Sequence, residues 1–140
     1  MRFHASCAAR DGHGVLLLGP SGSGKSDLLL RLVDRGFALV ADDQVEVEEG
    51  VARAPAALAG LIEVRGLGVL RLPWVASAPL ALMVVLGEGQ GERLPEPVRD
   101  PRLGLPRVSL DPWAASAPLR VSLALDCALG RVGQVAGAFA

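Results

Sequence analysis

The sequence predicts an α/β fold in a single domain with a mixed β-sheet, and three observations support this prediction. The chain has 140 residues, of which 51% are apolar, so it is long enough to bury one core. An apolar run from Val15 to Leu18 leads into a glycine-rich loop and then into "SDLLLRLVDRG", which has the spacing of an amphipathic helix. Several further apolar or alternating stretches have strand length and lie between glycine and proline turns.

The first half of the chain predicts two hairpins separated by the helix. "MRFHASCAARDGHGVLLLG" predicts two strands joined by a turn from Asp11 to Gly14, and Gly36 is placed to end the helix that follows. "FALVADD" predicts a short buried strand. "QVEVEEGVAR" alternates around Glu49 and Gly50, which is the pattern of a hairpin.

The second half has weaker periodicity. "APAALAGLIEVRGLGVLRL" predicts a short helix, a strand and a second glycine loop, and "LALMVVLG" predicts another strand. From Glu88 to Pro118 the chain is rich in glycine, proline and charge, which predicts loop with short strands. "LRVSLALDCAL" is interpreted as a last strand that closes the sheet. With no internal repeat, residues 1–140 are interpreted as one domain.

Composition excludes several classes of function. The formal charge of −1 gives no basic field, so nucleic acid is not an expected partner. The apolar runs are shorter than the ~20 residues of a membrane span, so no membrane partner is expected either. Cys7 and Cys127 lack metal-ligand spacing and are expected to be buried, reduced thiols, which favours a cytoplasmic protein.

The loop "GPSGSGKS" matches the pattern G-x-x-x-x-G-K-[ST] between a buried strand and a helix. Its glycines allow successive backbone N–H groups to converge on phosphate oxygens at the positive end of the helix. Lys25 is predicted to reach the outer phosphates, and Ser26 to offer its hydroxyl to Mg²⁺. The predicted nucleotide-binding residues of the loop are Gly19, Pro20, Ser21, Gly22, Ser23, Gly24, Lys25 and Ser26.

Two adjacent acids, Asp42 and Asp43, end the strand "ALVADD". If that strand neighbours the one before the loop, both carboxylates emerge at the sheet edge beside the phosphates. One carboxylate is expected to serve the Mg²⁺ network, and a second beside a phosphoryl acceptor can take the proton of an attacking hydroxyl. Two solvated acids at the start of a turn remain the alternative.

These segments resemble the catalytic domain of bacterial HPr kinase/phosphorylase, especially its short proteobacterial form. The resemblance rests on His4, "GPSGSGKS", "RGFALVADDQVEV" and "IEVRGLGVL", and is strongest from His4 to Leu72. It implies a P-loop kinase core like that of phosphoenolpyruvate carboxykinase, with ATP and Mg²⁺ as cofactors. Longer members have a separate N-terminal domain, which is expected to be absent here.

The resemblance also implies roles for individual residues. His4 matches the active-site histidine, Asp43 matches the proton acceptor, and Arg93, in "ERL", is the best counterpart of an active-site arginine. Lys25 completes the predicted catalytic set. Ser26 and Glu63 match Mg²⁺ ligands of the family, and Asp42 and Arg65 are assigned to cofactor binding. Glu63 and Arg65 alternate on one predicted strand and therefore share a face.

The implied function is an ATP-dependent protein serine kinase that acts on HPr or a related phosphocarrier of the phosphotransferase system. Where longer members carry "PVRPGR", this chain has "DPWAAS", from Asp111 to Ser116. The two arginines of that segment, whose guanidinium groups can each donate two hydrogen bonds to a phosphoserine, are missing here. Their absence argues against the reverse phosphorylase activity. The short tail "RVGQVAGAFA" leaves a homo-oligomer an open question. Two alternatives remain: a nucleotide-sensing module without phosphoryl transfer, and a kinase for a small molecule.

Overall fold

The computed structural model describes residues 1–87 and 92–140. Its first two strands, β1 (Arg2–Arg10) and β2 (His13–Leu18), form the antiparallel hairpin that the sequence predicts. Asp11 and Gly12 have φ values of 53° and 78°, so the turn between the strands uses left-handed backbone. The hairpin delivers the end of β2 to the glycine-rich loop.

Helix α1 (Lys25–Asp34) follows the loop, as predicted. Its apolar face, formed by Leu28, Leu29 and Leu32, is fully buried. Gly36 has a φ of 100°, and the N–H of Phe37 donates to the carbonyl of Leu32, which ends the helix. Packing of this apolar face holds the helix in place, with its first turn next to the glycine-rich loop.

Strand β3 (Ala38–Ala41) is followed by the predicted hairpin of β4 (Gln44–Glu48) and β5 (Val51–Arg53). β3 pairs with β1 and has no pairing with β2. Cys7 of β1 lies opposite both Leu16 and Ala41, so β1 separates the two strands. The condition under which both aspartates were placed beside the phosphate loop, that β3 neighbours β2, is therefore not met, because β1 lies between the two strands.

A 3-10 turn (Ala56–Leu58) leads into a separate hairpin of β6 (Leu61–Val64) and β7 (Gly68–Arg71). The second glycine loop of the sequence is the turn of this hairpin. Strand β8 (Ala78–Leu86) matches the predicted strand, and β9 (Arg107–Leu110) is the strand within the loop-rich region. Residues 88–91 of that region lie outside the described part of the chain.

The main sheet is mixed, as predicted. β3, β1, β2, β8 and β9 lie side by side, with β1 antiparallel to both its neighbours and β8 parallel to both β2 and β9. The β4–β5 hairpin pairs with the start of β1 and with the start of β8, which folds the sheet back on itself. Both β1 and β8 thus belong to two layers.

The last predicted strand is wrong, because "LRVSLALDCAL" forms helix α2 (Ala117–Ala128). Its alternating pattern also satisfies the helical period. Ala117, Val121 and Leu125 recur every four residues and are fully buried, whereas Leu119 and Leu123 are about half exposed. Pro118 lies in the first turn, where its missing N–H costs nothing. The observed burial therefore follows the helical period and not the strand period of two.

Two apolar cores lie on the two faces of β2 and β8. Leu17 and Val84 face the core beneath α1 and α2, and Leu16 and Met83 face the core under the β4–β5 hairpin. Cys7 lies in the second core, where burial raises the pKa of its thiol to about 12. Both cysteines are free thiols, but Cys127 is only partly buried, so the expectation of burial is correct for Cys7 and wrong for Cys127.

No helix in the described ranges is long and apolar enough to cross a membrane.

Candidate phosphate-binding and phosphoryl-transfer site

The glycine-rich loop, residues 19–26, connects the end of β2 to the start of α1. Gly22 and Gly24 have φ values of 79° and 95°, so the loop depends on glycine at both positions. Gly24 is the N-cap residue of α1, and its carbonyl accepts the N–H of Leu28. The loop thereby presents the free N–H groups and positive end of the helix to a ligand.

Lys25 is the first residue of α1 and is only 6% exposed. Its Nζ donates to the carbonyls of Gly19, at 2.6 Å, and Pro20, at 3.1 Å, and so ties the loop to the helix. An ammonium has three N–H donors, so a third is available for an anion. Burial lowers the pKa of Lys25, and the carboxylates of Asp43 and Asp42 oppose that shift. A ligand that carries negative charge compensates for this desolvation.

Asp42 is a buried carboxylate at the end of β3. Its Oδ1 accepts hydrogen bonds from Ser26 Oγ at 2.7 Å and from Ser6 Oγ at 2.9 Å. Its Oδ2 accepts the N–H of Glu63 at 3.4 Å. One carboxylate therefore joins the phosphate loop, β1 and the β6–β7 hairpin.

Asp43 forms an exposed pair with His4, in which His4 Nε2 lies 2.9 Å from Asp43 Oδ1. Asp43 has a φ of 71°, which turns the chain sharply between β3 and β4. The N–H of Ala5 donates to the carbonyl of Asp43 and holds this turn against β1. The two aspartates consequently differ: Asp42 is buried and accepts three hydrogen bonds, and Asp43 faces solvent beside a histidine.

One cavity of about 520 Å³ unites most of the predicted site residues. Glu63 and Arg65 both line it, but not through a shared strand face, because Arg65 lies in the turn after β6 and Val64 between them lines the cavity as well. The remaining lining residues are His4, Ser21, Gly22, Gly24, Lys25, Ser26, Asp27, Leu30, Asp43, Val64 and Trp113. Groups from the loop, β1, the β3–β4 turn and the β6–β7 hairpin therefore reach one space, in which a loop-bound phosphate can meet a carboxylate.

Arg93 is not among the residues that line this cavity. It is exposed and lines a second cavity of about 370 Å³, together with Val108 of β9 and Arg120 of α2. The segment that carries Arg93 runs beside the last helix and not across the phosphate loop. The structure therefore does not bring Arg93 together with the other predicted catalytic residues.

Sequence reasoning missed two residues of the site, Ser6 and Trp113. Ser6 is fully buried between Ala5 and Cys7 of β1, two positions after His4, and a polar residue between two buried small ones is the available signal. Trp113 is 64% exposed and lines the cavity. Its position depends on the fold of residues 111–116, for which the sequence has no periodic pattern.

The first half of the chain matches a known protein family. The family model described as HPr Serine kinase C-terminal domain matches residues 1–75, which include every described element from β1 to β7. That range agrees with the stretch in which the resemblance to the family is strongest.

Curated relatives agree with the family model over the same half of the chain. An HPr kinase/phosphorylase from Clostridium acetobutylicum is 41% identical over 76 residues, which are 51% of this chain and 25% of that protein. One from Aromatoleum aromaticum is 53% identical over 68 residues, which are 44% of this chain and 21% of that protein. The match thus spans about a quarter of the length of these relatives.

A solved structure agrees over nearly the whole chain. The HPr(Ser) kinase/phosphatase from Coxiella burnetii superimposes with a TM-score of 0.72 at 26% identity, covering 94% of this chain and 92% of that one. The similarity in three dimensions therefore extends past residue 75, through β8, β9 and α2.

Proposed function

Because the chain belongs to the HPr serine kinase C-terminal domain family, we propose that it is an ATP- and Mg²⁺-dependent protein serine kinase whose acceptor is HPr or a related phosphocarrier. One observation carries the proposal: the phosphate loop and the His4–Asp43 pair open into the same cavity. A nucleotide-binding site needs only the loop. The adjacent, solvent-facing carboxylate adds a proton acceptor at the place where a hydroxyl can approach.

The residues of the loop fit a nucleotide phosphate. Gly24 favours a close approach of phosphate, because its φ of 95° would strain any residue with a Cβ and an added Cβ would lie in tight contact with Trp113, at 3.1 Å. The hydroxyl of Ser23 is buried with no hydrogen-bond partner among the described residues. Lys25 has a third donor, as described above, and we propose that it contacts the outer phosphates.

The donor set also fits Mg²⁺. This ion prefers one or two carboxylates together with substrate phosphates and water, and Ser26, Asp42 and Glu63 offer hard oxygen atoms of that kind. Within residues 1–87 and 92–140 no group of three or more His, Cys, Asp or Glu side chains is arranged to hold a metal ion. We propose Ser26 and Glu63 as its ligands and Asp42 as the acceptor that orients Ser26. When bound, Mg²⁺ supplies positive charge to the phosphates.

Transfer then requires one proton acceptor. Asp43 takes the proton of the acceptor serine as the serine oxygen bonds to the terminal phosphorus, and the bond from that phosphorus to the bridging oxygen breaks. His4, at 2.9 Å, orients the carboxylate and adds a hydrogen bond to it. Arg65 lines the same cavity and can pair with phosphate as a planar fork.

Incubation with γ-labelled ATP, Mg²⁺ and purified HPr tests the proposal. Label on a serine of HPr, and no label on HPr with that serine replaced by alanine, is the expected result. Asp43→Asn should abolish transfer and leave ATP affinity within about threefold, because it changes one exposed oxygen and no loop contact. Transfer that persists in this variant would show that Asp43 is not the base.

One observation favours a second function, a nucleotide-sensing module. Residues 111–116 contain no arginine and place Trp113 against the loop, so this segment has no forked donor for a phosphoserine. ATP binding without label on any protein or small molecule would support the sensor. For the same reason we expect no release of phosphate from phosphoserine-HPr.

A further inference from the structure

The backbone around Trp113 is fixed from both sides. The N–H of Trp113 donates to Asp111 Oδ1 at 2.9 Å, and the guanidinium of Arg31 donates to the carbonyls of Pro112 and Ala114. Arg31 is itself held by Asp27, one turn earlier on α1, at 3.0 Å. Residues 111–114 are thus attached to the helix that begins at the phosphate loop.

The side chain of Trp113 is not buried by this attachment. One edge of the indole lies against Gly24, where an added Cβ would come within 3.1 Å of it, and 64% of the residue stays exposed. Burial of a tryptophan side chain is one of the larger favourable contributions to folding. The indole of Trp113 is mostly exposed although its backbone is held in place, so most of its surface makes no packing contact. It is available to a ligand.

Trp113 lies with other apolar groups in the cavity. Leu30, one turn beyond Ser26 on α1, and Val64 of β6 line the same space, whereas the ionisable pair of His4 and Asp43 comes from β1 and the β3–β4 turn. An aromatic heterocycle needs apolar contacts for its faces, and phosphates need the polar groups. The cavity offers both.

We propose that Trp113 is the platform on which the base of the bound nucleotide stacks. This inference rests on the proposed function, since it assumes that the loop holds a nucleoside triphosphate. Inorganic triphosphate has the same phosphates and no base, so it separates the contribution of Trp113 from that of the loop. Stacking of a base on an aromatic side chain changes affinity by at least about fivefold when the ring is removed.

Tryptophan fluorescence provides the first test. The chain has two tryptophans, and Trp74 is packed over Gly60 and is not among the residues that line the cavity. In a Trp74→Phe background, ATP with Mg²⁺ should quench the emission of Trp113, and inorganic triphosphate with Mg²⁺ should leave it nearly unchanged. Equal effects of the two probes would contradict stacking.

Affinity measurements by calorimetry provide the second test. Trp113→Ala should weaken ATP binding at least fivefold and leave the affinity for inorganic triphosphate within about twofold, and Trp113→Phe should restore most of the loss. Trp74→Phe, the matched aromatic control, should change neither affinity. A loss of both affinities in Trp113→Ala would show a structural role beneath the loop, and would overturn the inference.

Two other outcomes are distinguishable. Unchanged ATP binding with a raised KM for the phosphocarrier would assign Trp113 to the acceptor and contradict the stacking role. Absence of ATP binding by the wild-type protein would instead refute the proposed function itself.

Discussion

Asp43 occupies a backbone conformation that most side chains avoid. Its φ of 71° lies in the left-handed region, which costs roughly 1–2 kcal/mol for a residue with a Cβ, less for Asp and Asn because they hydrogen-bond locally. Strained backbone of this kind occurs mainly at functional sites. At this position the conformation places the exposed carboxylate of Asp43 beside His4 in the cavity.

The strain at Asp43 predicts an inverted order of stability for two small substitutions. Asp43→Gly and Asp43→Ala both remove the carboxylate and its contact with His4, so they differ only in the backbone. The glycine variant should be the more stable by about 1 kcal/mol, against the usual order, because glycine adopts positive φ without a clash. Urea unfolding of the two variants measures the difference. An alanine variant at least as stable as the glycine variant would show that the backbone at this turn is unstrained.

Ser6 is predicted to act as a positioning residue through Asp42. Ser6→Ala removes one of the two hydroxyl groups that donate to Asp42 Oδ1. The carboxylate is then held less firmly in the orientation in which it accepts the hydroxyl of Ser26. The Mg²⁺ concentration for half-maximal phosphoryl transfer should rise severalfold, with a stability loss of about 1 kcal/mol. The measurement is a Mg²⁺ titration of the initial rate.

Ser122→Ala is the matched control for Ser6. Ser122 accepts a hydrogen bond from Arg10 on the opposite side of the fold, so its loss should lower stability and leave the Mg²⁺ dependence unchanged. A similar shift in both variants would mean that general destabilisation, and not the orientation of Asp42, controls the response to Mg²⁺.

At the scale of elements, the sequence could predict the first half of the fold because local rules agree there. The loop pattern, the leucines of α1 and the left-handed turn at Glu49 and Gly50 each select one structure. The last element could not be predicted in this way. From Leu119 to Leu125 apolar residues occur at every second position, which fits a strand, and at every fourth, which fits a helix. Only the surface on which the segment packs decides between them.

Two leucine substitutions distinguish these alternatives by stability. In a strand Leu123 and Leu125 would share one face, whereas in α2 Leu125 is fully buried and Leu123 is 48% exposed. Leu125→Ala should therefore cost about 2–5 kcal/mol, and Leu123→Ala less than about 1 kcal/mol. Thermal unfolding of the two variants measures the contrast, and equal losses would contradict the helix.

For the candidate site, the sequence could predict the location of residues that belong to a local motif, and their chemical roles stay predictions. Lys25 and Ser26 belong to the loop, and Asp42 follows directly from the end of a strand. The position of Trp113 could not be predicted, because it depends on hydrogen bonds from Arg31 to two carbonyls that lie 81 and 83 residues further along the chain. The location of Arg93 could not be predicted either, because its match to the family covers only three residues and does not show which cavity the segment lines.

At the scale of the whole molecule, the range that matches the family model is not a structural unit. β8 begins at Ala78, after the match ends at residue 75, yet it pairs with both β2 and β5 and contributes Leu82, Val84 and Leu86 to one core. The other core takes Met83 and Val85 from the same strand. Site residues from the first half therefore depend on a central strand from the second half.

This dependence predicts that residues 1–75 do not fold alone. Without β8, strand β2 has an open edge and both cores lose apolar contacts that no other element can supply, so the fragment should show no cooperative thermal transition and no measurable ATP affinity. Circular dichroism and calorimetry on the fragment measure both properties. The full chain with Val84→Asp is the internal comparison, because a carboxylate at this fully buried position should unfold the protein to the same degree. A fragment 1–75 that unfolds cooperatively would instead show that the loop, the aspartates and His4 are held by the first half alone.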